Sequence, residues 1–427
     1  MAKIYNENKN VYEASIERIK YCFDNFKNVL VAFSGGKDSG VMLNLAYDYA
    51  KKNNLLHKLA FFNLDYEAAY EQTDNYVEDA FKQMNDVKRF WLCLPIYAQC
   101  ACSSFQNKWK PWDKKKKDIW VKKMPNYSFV INEDNCEFDY EGLFDYDVQD
   151  NFGTWFAGKY GKTATLIGIR TDESLNRFRA IKKENVNKIN QYINHIEGSN
   201  TYKVYPIYDW TTQDIWVYNA KFNKTYNSLY DMFYKCGITI DKMRVASPFN
   251  DCAIDSLKLF KVINPNNWGR MIGRVDGVNF SAIYGGTTAM GWRKIKLPKG
   301  HTWKSYLNFL LNTLPEETRN NYKKKLDKSI EFWASKGGCL DDDAIKDLER
   351  NNIEYEVGKS NYSDKKAIKI KSYIDDIDSI YFNKFPSYKR MCVCILKNDH
   401  FCKYMGFSQT KKETEKRKKA IAKYKGI

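Results

Sequence analysis

The sequence predicts an α/β fold, a parallel sheet with helices on both faces, followed by a mainly helical C-terminal region. Three observations carry this expectation. An apolar strand, a glycine loop and an amphipathic helix follow one another between Asn28 and Lys52. Further apolar runs at 58–64 and 88–96 flank an acidic, helix-like stretch, the alternation of βαβ units. Beyond about Gly291 the apolar spacing becomes helical.

Val11, Ile16, Ile19, Cys22, Phe23 and Phe26 recur near helical spacing, so a leading helix precedes the first strand, NVLVAF at 28–33. After SGGKDSG, the run VMLNLAYDYAKK sets Val41, Met42, Leu45, Ala46 and Tyr49 on one face, as a helix packed on a sheet requires. KLAFFNL at 58–64 is the second strand and KRFWLCLPI at 88–96 the third. The fourth, TATLIGI at 163–169, follows a stretch from about Ser103 to Lys162 rich in Trp, Lys and acidic residues, read as an insertion. Within it, NFGTWFAGKYG suits a helix leading back into the sheet. KVYPIYDWTTQDIWVYNA predicts an extended segment and then a helix opened by Thr211 or Thr212, with Asp214 in the first turn, where the helix dipole favours a carboxylate. Asp209, Trp210 and Asp214 read as a structural corner rather than as catalytic groups. In the C-terminal third, LPEETRNNYKKKLDKSIEFWASKGG lines up Tyr322, Leu326, Ile330 and Trp333 and stops at Gly337 and Gly338. The expected domains are 1–292, with an insertion at about 103–162, and 293–427, ending in a basic tail.

A hydrophobic content of 44 % with 16 % aromatics excludes a disordered chain, which lacks the apolar surface to offset its entropy. No run reaches the roughly 18 apolar residues of a membrane span, and MAKIYNENKN has no apolar core like a signal peptide, so no membrane contact and a cytoplasmic location are expected. The 11 cysteines are odd in number and lack a C-x-x-C or an adjacent pair, which makes reduced thiols the default. A formal charge of +17 attracts phosphates on nucleotides or nucleic acids, although solvated lysines explain much of it.

Ser34-Gly35-Gly36-Lys37-Asp38-Ser39 stands between the first strand and its helix, where backbone amides and the helix dipole bind an anion. The glycines allow close approach, Lys37 adds a charge, and Ser34 and Ser39 supply hydroxyls. Asp38 can hold Mg²⁺ or cap exposed amides. Arg170 and Arg177 fall at the end of the fourth strand, the rim where open α/β sheets bind ligands, and guanidinium groups grip phosphate or sulfate oxygens in pairs. Glu173 can orient one of them. Asp65, at the end of the second strand, can accept a hydrogen bond from adenine or ribose, or be a turn residue.

SGGKDS after a strand resembles the PP-loop of the adenine nucleotide α hydrolase (ATP pyrophosphatase) superfamily. NLDYEAAY at 63–70 is similar to the nucleotide-contacting segment after the second strand. LIGIRTDESLNRF at 166–178 and YPIYDWTTQDIWVY at 205–218 resemble the motifs of phosphoadenosine phosphosulfate reductase-like proteins. NKTYNSLYDMFYKCG at 223–237 is similar to a further segment of that family, with Thr225 for the usual Pro. The resemblance covers about 10–290, and RVASPFND, NPNNWGRMIGRVDGVNF and YKRMCVCILKNDH resemble a branch with a long C-terminal extension. It implies a Rossmann-like fold, a nucleotide site at Ser34, Gly35, Gly36, Lys37, Asp38, Ser39, Asp65, Arg170, Glu173 and Arg177, and a ParB-like partner.

The implied reaction is cleavage of the α–β bond of ATP to adenylate an acceptor, with Lys37, Asp38, Arg170 and Arg177 catalytic and Mg²⁺ tentatively at Asp38. Sulfonucleotide reduction is the alternative, but it needs a Cys on a mobile tail, and its iron–sulfur variants a C-x-x-C set, so no iron–sulfur cluster is expected. A non-catalytic nucleotide sensor acting with a DNA-binding partner is the third reading. Cys392, Cys394, His400 and Cys402 have the wrong spacing for usual zinc fingers. Lysines at 114–117 and the basic run at 411–425 interleave with Trp109, Trp112, Trp120 and Tyr424, a mix suited to phosphate contact with base stacking.

Overall fold

A computed structural model describes residues 9–173, 177–178, 181, 188–291, 295–360 and 365–407. Residues 174–176 of the arginine motif and the basic run 411–425 lie outside them. The chain divides into two compact units, one of residues 1–99 and 109–274, the other of 100–108 and 275–427.

In the first unit α1 (Val11–Asn25) opens on a capping box in which the Asn10 side chain and Glu13 satisfy each other's backbone N–H. There follow β1 (Asn28–Ala32), α2 (Lys37–Lys52), β2 (Leu59–Leu64), α3 (Glu71–Gln83) and β3 (Lys88–Cys93). Next come β4 (Val130–Asn132), α4 (Asp145–Tyr160), β5 (Thr163–Ile167), β6 (Lys188–Asn190), β7 (Ile193–His195) and β8 (Thr201–Val204). The unit closes with α5 (Thr212–Lys221), α6 (Leu229–Lys235) and α7 (Pro265–Arg274).

Among the described residues the sheet has eight strands in the order β4-β3-β2-β1-β5-β8-β7-β6. From β4 to β8 neighbours are parallel, and β7 and β6 add an antiparallel edge. The chain leaves β1 for β2 on one side while β5 packs on the other, so the end of β1 is the switch point where such sheets bind ligands. Successive side chains point to opposite faces. Val29, Val31 and Phe61 join the core under α1, α2 and α3, whereas Leu30, Ala60 and Phe62 join Phe152 and Phe156 of α4 on the other face. The stretch expected as an insertion thus supplies an edge strand, β4, and the helix of the second face.

Thr211 is the N-cap of α5, in a capping box with Asp214. Asp209 binds Arg18 through two short contacts, 2.9 Å and 2.7 Å, and the Trp210 indole donates to Ser15 Oγ at 2.8 Å. This is a packing corner between the start of α5 and α1.

The second unit is mainly helical: α8 (Val278–Tyr284), α9 (Trp303–Asn312), α10 (Glu316–Ser335), α11 (Asp342–Arg350) and α12 (Tyr388–Leu396). It also contains a small antiparallel sheet that the helical spacing does not announce. Its strands are β9 (Gly338–Leu340), β10 (Tyr355–Gly358) and β11 (Lys366–Ile370), with β11 central. Cys392, Cys394 and Cys402 are fully buried, and burial pushes the Cys392 thiol up to about 12, so it stays protonated. His400 Nε2 lies 2.9 Å from the Ser103 carbonyl oxygen, where it is a packing group.

Candidate functional site

The loop after β1 turns through Gly35, whose φ of +74° is left-handed. A Cβ there would lie 2.8 Å from Val77 Cγ2 and 3.0 Å from Thr73 Cγ2, so α3 leaves room only for glycine. Asn227 secures the turn from the other side, donating to the Gly35 carbonyl and to Thr73 Oγ1, both at 2.9 Å. Gly168, past β5, packs so closely that a Cβ would lie 2.9 Å from the Asp38 carbonyl. The hydroxyls of Ser34 and Ser39 lie 3.0 Å apart, and Ser39 Oγ lies 3.1 Å from the Gly36 carbonyl, so these side chains shape the loop.

Asp38 gathers the cations. Its Oδ1 accepts from Arg170 Nε at 2.6 Å, and Oδ2 lies 3.3 Å from Lys37 Nζ. The Arg170 guanidinium is almost wholly buried and also donates to the Trp210 carbonyl at 3.3 Å, Thr212 Oγ1 at 3.2 Å and Asp172 Oδ2 at 3.4 Å. Glu173 accepts from the Arg170 amide at 3.3 Å and pairs with Arg177. Arg244 Nη2 donates to the Glu173 carbonyl at 2.6 Å. Among the described residues four cations thus face Asp38, Glu173 and the exposed Asp172, an excess of positive charge within that set. Burial pushes the Lys37 ammonium below its ordinary range against the pull of Asp38, and Arg170 and Arg244 reinforce the fall.

The backbone amide and the ammonium of Lys37 are both engaged from within the chain. The Lys37 N–H donates to the Tyr230 hydroxyl at 2.9 Å, and Lys37 Nζ donates to the Met243 carbonyl at 3.2 Å. Burial holds the Tyr230 phenol far above its usual range, so its oxygen accepts as a neutral hydroxyl.

Asp65 is not part of this cluster. Its carboxylate accepts from the Glu67 amide at 2.7 Å and the Trp91 indole at 2.8 Å, and pairs with Lys122 at 2.9 Å. Two residues on, Glu67 has φ +65° and is wholly buried, forked onto Arg274 at 2.8 Å and 3.0 Å. Trp109, Trp112 and Trp120 are buried around these pairs, which corrects the expectation of a stacking platform: the neighbouring lysines 114–117 are exposed, but the indoles are not. Two of these indoles find backbone acceptors inside, Trp112 at the Asp65 carbonyl at 2.8 Å and Trp120 at the Asp113 carbonyl at 3.0 Å.

Residues 28–236 match the family described as phosphoadenosine phosphosulfate reductase domain, and residues 237–416 match a domain of unknown function, DUF3440. The uncharacterized protein YbdN of Escherichia coli (strain K12) is 32 % identical over 416 residues, 96 % of this chain and 93 % of the relative. The chain belongs to the YbdN family. Its first half is a phosphoadenosine phosphosulfate reductase-like domain. Among solved structures, the phosphoadenylyl-sulfate reductase of Candida auris is 14 % identical, over 55 % of this chain and 87 % of that one, with a TM-score of 0.31. The NH3-dependent NAD synthetase of Campylobacter jejuni is 8 % identical, over 68 % and 100 %, with a TM-score of 0.28.

Lys37, Arg170 and Tyr230 fall in the first family match, Met243 and Arg244 in the second, so the cluster draws on both. The last three were missed as site residues. Tyr230 stands inside a recognised segment but has no signature for its role, and the Met243 carbonyl is backbone, which no residue type announces. The donor set does not fit a resident Mg²⁺: each Asp38 oxygen faces a cation, and among the described residues no group of three or more His, Cys, Asp or Glu is placed to hold a metal. No helix among the described residues is long and apolar enough to cross a membrane.

Proposed function

We propose that the chain binds ATP or a related adenine nucleotide with its β,γ-phosphates at residues 34–39, and cleaves the α–β bond to adenylate an acceptor in the cytoplasm. The observation that carries this reading is the cluster of Lys37, Arg170 and Arg177 with Asp38 and Glu173 at the N-terminus of α2, on the switch point of the sheet. An acceptor oxygen attacks the α-phosphorus, the bond from that phosphorus to the bridging oxygen breaks, and the electron pair leaves with pyrophosphate. Lys37, Arg170 and Arg177 are suited to holding that charge, because fixed cations in a partly desolvated site stabilise it without reorganising. Asp38 and Glu173 keep two of the guanidinium groups aimed.

Incubation with labelled ATP and identification of products by mass tests this. Pyrophosphate with AMP or an adenylated acceptor supports it, and ADP with orthophosphate contradicts it.

A sulfonucleotide in the same loop is the second reading, favoured by the family match over 28–236. It predicts sulfite from phosphoadenosine phosphosulfate, yet Cys402, the last cysteine, is fully buried. The proposal further includes a ParB-like partner, on the strength of the sequence resemblance. It also includes nucleic-acid contact through the lysines at 114–117 and the run 411–425, on the strength of charge; salt-dependent retention on immobilised RNA or DNA tests that contact.

A further inference from the structure

Arg244 opens the RVASPFND segment, far along the chain from the loop, yet its neighbours Met243 and Val245 lie beside it. The Met243 carbonyl accepts from Lys37 Nζ at 3.2 Å, and a Cβ built on Gly36 would lie 3.8 Å from Val245 Cβ. Between them Arg244 donates to the Glu173 carbonyl at 2.6 Å, on the turn whose carboxylate pairs with Arg177. With Tyr70, Thr73 and Val245 it lines a cavity of about 20 Å³, room for a water, beside the loop. The residue itself is exposed.

Beside Lys37 and Arg177 this guanidinium adds a charge that disfavours the charged form of both, against the pull of the neighbouring Asp38. The Met243 carbonyl and the Tyr230 hydroxyl meanwhile accept from the Lys37 ammonium and the Lys37 amide. We infer that Arg244 is a phosphate-contacting residue, and that the polyphosphate of a bound nucleotide displaces the Met243 carbonyl and the Tyr230 hydroxyl from Lys37 and takes the Arg244 guanidinium as an added clamp. This rests on the nucleotide reading above and deepens it. The ligand is recognised by its phosphate chain, which a planar fork grips through two oxygens, rather than by its nucleoside.

The test is calorimetric titration of the full chain with ATP, AMP and inorganic pyrophosphate, for the wild type, Arg244→Ala, Arg244→Lys and Lys37→Ala. Arg244→Ala is expected to weaken ATP and pyrophosphate about tenfold or more and AMP by less than about twofold, the loss of a charge-assisted contact to the outer phosphates alone. Arg244→Lys falls between, since it keeps the charge and loses the fork. Because Arg244 is exposed, the melting temperature stays unchanged. If Arg244→Ala binds ATP as the wild type does while Lys37→Ala does not, the role of Arg244 is overturned and the nucleotide reading survives. Equal losses for ATP and AMP overturn it as well. A wild type that binds none of the three ligands overturns both.

Discussion

Replacing Arg274 with methionine removes the positive half of the ion pair that ties α7 to the turn after β2. The Arg274 side chain is 2 % exposed and that of Glu67 0 %, with the two groups forked at 2.8 Å and 3.0 Å. Glu67 also accepts from the Trp112 and Val121 amides at 2.7 Å and 3.0 Å, so its carboxylate holds the segment 112–121 in place. Taking one partner from such a pair leaves a buried charge and costs about 3–5 kcal/mol. At about 2–4 °C per kcal/mol for a unit of this size, the melting temperature falls by roughly 6–20 °C. Arg274→Met combined with Glu67→Gln should cost less than the two single losses together, because the stranded charge is gone. Thermal unfolding followed by circular dichroism, with urea midpoints at constant slope, measures both effects. A single variant that melts within about 2 °C of the wild type would refute the claim that this pair organises the turn.

Tyr230→Phe removes the hydroxyl that engages the Lys37 amide. ATP affinity is expected to rise about two- to tenfold as an internal competitor disappears, and unchanged or weaker binding in the same titration would contradict that role. Burial pushes the Asp74 carboxyl up to about 6, against the pull of Lys122 and with the repulsion of Asp65. A folded value above the unfolded one means that folding takes up a proton here. This contribution is complete below the ordinary carboxylate value of 3.8 and is lost as pH rises through about 6. Asp74→Asn should therefore flatten the fall in urea stability between those two values, and identical slopes for both proteins would contradict it.

What was legible in the sequence was local. β1, the loop and α2 are contiguous, so apolar alternation, two glycines and a helical face announce them together. Thr211 and Asp214 carry a cap at fixed spacing, and Arg170 follows directly from a strand end. The rest depends on chain partners far apart. Glu67 reads as an ordinary acidic turn residue, and its partner Arg274 is 207 positions away. Lysines near Trp109, Trp112 and Trp120 suggested a nucleic-acid surface because composition does not say which way an indole faces. The Asp65 carboxylate was grouped with the nucleotide segment, yet Trp91 and Lys122 engage it, one from β3 and the other from the stretch read as an insertion. The strands of the second unit are three to five residues long, too short for a period to emerge between helices.

The central claim, that the turn joining β1 to α2 receives a polyphosphate, is tested most directly by titrating ATP into the wild type and into folded Lys37→Ala. The wild type is expected to bind, and the variant to bind at least about tenfold more weakly, because the ammonium contact is gone. Equal affinity in the two proteins would contradict the account.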